Sequence, residues 1–97
     1  MIRRDGARAV VSGPVTLSNV RALLEEGSAH LKAGVRSIDL GEVTELDSSL
    51  LAVLLAWQRE ARAANVALAV ERLPQGLETI ARLYGVESLL AGTTSRH

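Results

Sequence analysis

Short runs of alternating polar and apolar positions take turns along this chain with longer stretches of helical spacing. Ile2 to Arg4 and Ala7 to Ser12 flank Asp5-Gly6, and Ala9 and Val11 fall on one side of the second run. Asp-Gly between such runs predicts a hairpin, and Gly13-Pro14 is expected to end its second strand because Pro cannot donate to a ladder. Val20, Leu23, Leu24, Gly27 and Leu31 then recur at intervals of three and four, as on the apolar face of a helix. Thr16 or Ser18 is its candidate cap and Gly34 its stop. Ser37 to Leu40 alternates again as a half-buried strand, which Gly41 is expected to interrupt before Leu46 points inward. A second helix opens at Asp47-Ser48-Ser49 and gathers Leu50, Val53, Leu54, Trp57, Ala61 and Ala64 on one face. Asn65 marks a turn, Val66 to Val70 an apolar strand and Pro74-Gln75-Gly76 a break. Leu77, Ile80, Ala81 and Tyr84 form the apolar face of a third helix stopped by Gly85. Val86 to Leu90 reads as a short packing segment and Gly92 to His97 as a frayed end.

The order β-β-α-β-α-β-α predicts a small α/β fold: a four- to five-stranded mixed sheet with helices packed on one face. Alternation places Ala9, Val11, Ile38, Leu40, Leu68 and Val70 towards those helices. With 97 residues and 47% hydrophobic content, the expectation is one domain, 1–97, with a single modest core. Eleven basic residues balance eleven acidic ones, and the only aromatics are Trp57 and Tyr84. No net field or stacking pattern therefore points to a nucleic-acid partner. The chain contains no Cys and no stretch near the ~20 apolar residues of a membrane span. A soluble, cytoplasmic protein without direct membrane insertion is expected.

Catalytic constellations are missing from the pattern. His30 and His97 are the only imidazoles, one in a predicted helix and one at the chain end, so no nucleophile, base and orienter come together. Asp39, Glu42, Glu45 and Asp47 could hold Mg²⁺, but carboxylates in a strand-to-helix stretch are more often solvated surface. The expectation is no enzyme, no metal and no cofactor. The start of the second helix is richer. Asp47, Ser48 and Ser49 are all N-cap types, and they read either as plain caps or as hydroxyls placed at a helix end suited to a phosphate. Beside the core face runs a second stripe of Leu51, Leu55, Gln58 and Arg62. Either a broad core face buries its leucines or they form an exposed docking patch with the serines, and spacing leaves both open.

The fragment LDSSLLAVLLAWQREARAANVALAVERLP, followed by LETIARLYGVESLL, resembles the STAS domain family across essentially the whole chain. The anti-sigma-factor antagonists of that family carry Asp-Ser-Ser-Gly at the second helix, with the second Ser phosphorylated by a partner kinase. The resemblance puts that role on Ser49, although Leu50 stands where they have Gly. This departure and the LLAWQREAR continuation look more similar to the stand-alone STAS subunit of the Mla (toluene-tolerance-type) phospholipid ABC transporter. There the STAS protein supports an MlaF-type ATPase subunit, and the hydroxyl residue directly after the Asp lies in the contact. By position that is Ser48. The resemblance thus implies a non-catalytic accessory subunit whose contact includes the Asp47-Ser48-Ser49 start, and helical spacing adds Leu51, Leu55 and Arg62 as the expected partner-binding residues beside it. It also implies an alternative, an antagonist switched at Ser49 or Ser48 by a serine kinase and binding an anti-sigma factor. A ligand-binding STAS domain without a protein partner is a third reading.

Overall fold

The computed structural model describes residues 1–86. Its elements follow in the order β1 (Ile2–Asp5), β2 (Arg8–Val15), α1 (Val20–Lys32), β3 (Ser37–Leu46), α2 (Ser48–Ala63), β4 (Ala69–Glu71) and α3 (Gln75–Leu83). The strands form one sheet in sequence order, β1 antiparallel to β2 and the other neighbours parallel. This is the mixed sheet expected, with four strands among the described residues. Most of the expected final segment, and Gly92 to His97, lie outside them.

The period of two decides the faces. Ala9, Val11, Ile38, Leu40, Leu68 and Val70 are each no more than 4% exposed and share a core with Leu23, Leu50, Leu54, Trp57 and Leu77. Arg3, Val10, Asp39 and Glu71 line up in register across the other face. That face is dressed with ion pairs: Arg3 with Glu42 at 3.1 Å, and Arg8 within 3.6–3.8 Å of Asp5, Asp39 and Glu71. Asp39 is buried and takes two hydrogen bonds of 2.9 Å from Arg72 and one of 2.8 Å from the Gly41 amide.

Burial alone would push the Asp39 carboxyl up, but the Arg72 hydrogen bonds, the Gly41 amide and the charges of Arg72 and Arg8 outweigh it and hold it below the usual carboxylate range. A depressed folded-state value contributes stability that is present above the unfolded pKa of about 4 and lost as pH falls through the folded one. Asp39→Asn should therefore flatten the acid side of a melting-temperature profile without abolishing its slope, because Glu42 and Asp47 are lowered too. Thermal melts between about pH 2 and 6 test it; an unchanged acid slope in the variant would remove Asp39 from the account.

All three helices stop in the same way. Gly34, Asn65 and Gly85 each take a positive φ, and the following valines, Val35, Val66 and Val86, donate back to His30, Ala61 and Ala81 at 2.8–3.0 Å. This is a double-bonded left-handed closure; Gly34 and Gly85 are the expected stops, and Asn65, expected as a turn, closes α2 in the same way. It also corrects the strand after α2. The Val66 amide is spent on closing the helix, so β4 begins only at Ala69.

Other boundaries also shift. Gly13-Pro14 does not end β2 and Gly41 does not break β3; the two strands pair from Arg8↔Ser37 to Val15↔Leu46. Pro14 is accommodated at a register irregularity, on a stretch that β1 does not reach. At Gly41 the Arg72 guanidinium occupies the space a β-carbon would need, so the glycine serves a close approach. Pro74 caps α3, and Gly76 lies inside that helix. Thr16 and Ser18 share a hydroxyl hydrogen bond of 2.9 Å, and the N-cap of α1 is Asn19. The Asn19 side chain is spent on the preceding loop, accepting from the Thr16 amide and donating to the Pro14 carbonyl.

Candidate partner-binding site

The site is built where β2 and β3 end side by side and the chain turns up into α1 and α2. The Asp47 amide donates to the Val15 carbonyl at 3.3 Å, which ties the start of α2 to the end of β2. The Asp47 carboxylate then bridges both helix entrances: Oδ1 accepts from the Ser49 amide at 2.8 Å and Oδ2 from the Leu17 amide at 3.1 Å. The Ser49 amide first, then the Ser49 hydroxyl and the Leu17 amide, hold its carboxyl below the ordinary range. Asp47 is thus the cap that the sequence suggested.

This geometry changes the reading of the serines. The positive end of α2 already holds an anion, so a phosphate on half-buried Ser49 would sit beside a carboxylate rather than at a free terminus. Ser48 is exposed. Leu50 is fully buried, so its bulk points into the core and away from the outer approach to the hydroxyls.

The second stripe divides. Leu51 is 3% exposed and belongs to the core, which corrects its expected place on an open patch. Beside it, Tyr84 and Val86 line a hollow of about 230 Å³ with Ser48, Leu51, Ala52 and Leu55. Leu55 is only partly buried, and Arg62 is exposed. Tyr84, expected on the buried face of α3, is the cap residue of that helix and is 63% exposed at the rim of the hollow. Ala64, expected on the core face, is exposed as the cap of α2.

On the other flank of α2, Leu17, Val20, Leu24, Ala52 and Val53 line a groove of about 540 Å³ between α1 and α2. Ala52 is exposed and stands between the two hollows. Sequence reasoning missed it, because an alanine on a helix carries no signal of its own. It also missed Leu17, which is 77% exposed and held beside the α2 entrance by Asp47. A lone leucine among the polar residues of Thr16–Asn19 was the available clue.

Three of the four carboxylates weighed for a metal are employed elsewhere, and the fourth, Glu45, is exposed. Asp39 and Glu42 are engaged by Arg72 and Arg3, and Asp47 by amides. Among the described residues no three His, Asp or Glu side chains gather to hold an ion, and no helix is long and apolar enough to cross a membrane. The arrangement offers a shaped, partly apolar surface with a hydroxyl at one end and arginines at the other.

Comparison with known proteins gives the family. No curated protein matches the chain by sequence. The chain is similar to the solved structure of the anti-sigma factor antagonist SpoIIAA in its unphosphorylated form, at 13% identity and a TM-score of 0.65 over 86% of this chain and 81% of that one. It is also similar to a Thermotoga maritima protein described as a candidate anti-sigma factor antagonist, at 14% identity and a TM-score of 0.70 over 91% of this chain and 80% of the other. At these identities the likeness is one of fold. STAS domains are in general non-catalytic regulatory or accessory domains that act on partner proteins. The family model described as the MlaB STAS domain matches residues 2–91, and with a sheet, helix order and α2 entrance of this kind the chain belongs to the MlaB-type STAS domains.

Proposed function

We propose that this protein is a non-catalytic accessory subunit of a phospholipid-transporting ABC system, supporting its ATPase at the cytoplasmic side of the membrane without contacting lipid. The observation that carries this reading is the open side of α2. Among the described residues Ser48 and Ala52 are exposed and Leu55 is partly buried between α1 and α3, with Leu17 and Tyr84 exposed on the two flanks. Exposed apolar side chains around a ridge of small residues suit a partner surface that must approach closely. The MlaB-type family description supports the transporter as the setting. A domain that binds only the assembled ATPase stabilises that state by mass action, so support requires no chemistry from the subunit.

Ala52→Glu tests the reading. Ala52 is exposed and Glu is a good helix former, so the melting temperature should stay within about 2 °C of the parent. Co-purification with an Mla-type ATPase subunit should be lost, because the change puts an unpaired charge in the centre of the contact. Undiminished co-purification would move the contact to another face.

A second reading, a phosphorylation-switched anti-sigma-factor antagonist, draws support from the Asp-Ser-Ser entrance and from the buried side chain of Leu50, which leaves the hydroxyls approachable. Absence of ATPase binding by the parent protein, together with phosphate on Ser48 or Ser49 in cells, would replace the first reading with this one.

A further inference from the structure

The stripe that starts at Ser48 does not stay apolar along its length. Leu55, Gln58, Arg59 and Arg62 line a small hollow of about 150 Å³ farther along α2. These positions are spaced three and four apart, so their side chains stand over one face. Arg59 and Arg62 are both exposed, and neither makes an ion pair among the described residues. The Gln58 amide nitrogen is directed inward, donating to the Leu68 carbonyl at 3.4 Å.

Arg21, Lys32 and Arg36 likewise make no ion pair among the described residues, but Arg59 and Arg62 stand together at one hollow. Arg3, Arg8 and Arg72 on the far face of the sheet are matched to carboxylates within the chain. Arg4 is spent on the Gly6 and Ala33 carbonyls. Glu60, next to Arg59 in sequence, accepts from the Ser28 hydroxyl at 2.9 Å across the α1–α2 contact and so faces away from the stripe. Two guanidinium forks beside a leucine therefore stand along one line with the apolar ridge, without a carboxylate partner among the described residues.

We propose that the hollow at Leu55, Arg59 and Arg62 receives an acidic segment of the partner protein, with one or two carboxylates on the arginines and an apolar side chain against Leu55. The surface is continuous with the ridge, and Leu55 and Arg62 lie about 10 Å apart along the helix axis, a span that one short segment covers. Guanidinium forks favour planar carboxylates, and at the rim of an interface such pairs act mainly on association rate and salt dependence. This rests on the reading of α2 as the docking face and adds the chemistry of what docks.

The experiment is a titration of the ATPase subunit with the parent protein, with Arg59→Glu/Arg62→Glu and with Arg59→Lys/Arg62→Lys, at low and at physiological salt, with thermal melts alongside. The Glu pair should bind about 10-fold or more weakly at low salt and lose most of the salt dependence, while the Lys pair retains it. Melts close to the parent are expected because both positions are exposed. Equal binding and equal salt dependence in the Glu pair would overturn the inference while leaving the docking reading intact. No binding by the parent would overturn both. Sedimentation with phosphatidylglycerol vesicles that is lost in the Glu pair, with ATPase binding unaffected, would overturn it in favour of a membrane surface.

Discussion

Gly27→Ala is expected to destabilise the protein by about 1 to 3 kcal/mol, although in an ordinary helix interior the same change gains about 1 kcal/mol. The sign is set by one neighbour. Gly27 is buried in α1, and a β-carbon there would run into the indole ring of Trp57, at Cζ2 and Cε2. The ring has little freedom to give way. Trp57 is fully buried, and its Nε1 donates to the Leu24 carbonyl of α1 at 3.2 Å. Moving it would loosen that bond and the packing around Leu23 and Leu54 in the same core. The Ser28–Glu60 hydrogen bond clamps the same two helices beside the contact, so they cannot easily part. Trp57 is the only tryptophan, and urea unfolding followed by its fluorescence reads the effect directly. A variant more stable than the parent would show that α1 and α2 have room to separate.

Leu51→Asp should cost more than about 4 kcal/mol, a large share of the total stability of a small domain, whereas Leu55→Asp four residues later should cost about 1 or less. Leu51 is 3% exposed and packs in the core cluster, so a carboxylate there must be buried or must disrupt that packing. Leu55 is partly buried beside Arg59 and Arg62, where an acid keeps its water and meets two cations. Denaturation curves of both variants measure the difference, with Leu51→Met as a volume-conserving control expected within about 1.5 kcal/mol of the parent. A Leu51→Asp protein that unfolds with the parent would return Leu51 to an exposed stripe. If the proposed docking face is correct, Leu55→Asp separates folding from binding and Leu51→Asp does not.

Much of the fold follows from local chemistry in the chain. Alternation placed Ala9, Val11, Ile38, Leu40, Leu68 and Val70 inward, because a one-residue slip in a strand would turn all of them to water. Gly34 and Gly85 marked helix ends, and Asn65 a turn, because the closure needs a left-handed residue and these types adopt it at least cost. Asp47 announced the start of α2 for an equally local reason, a short side chain within reach of the first free amides.

What the sequence alone could not decide are the places where a residue answers to something distant. Gly41 looks like a strand breaker until β2 pairs through it and Arg72 fills the space above it. Gly27 looks like one more position in a helical pattern until Trp57, 30 residues on, lies against it. Helical spacing gave Leu51 and Leu55 neighbouring angles on α2, but an angle does not say what packs there. Both line the hollow with Tyr84 and Val86, yet the fold buries the first in the core and leaves the second partly exposed. Leu17 and Asp47, also 30 apart, meet only because parallel β2 and β3 bring two helix entrances together. The chain's own periodicity therefore determined the sheet, the helices and their inward faces, while the exposure of each side of α2 among the described residues was decided by which elements the tertiary fold laid against it.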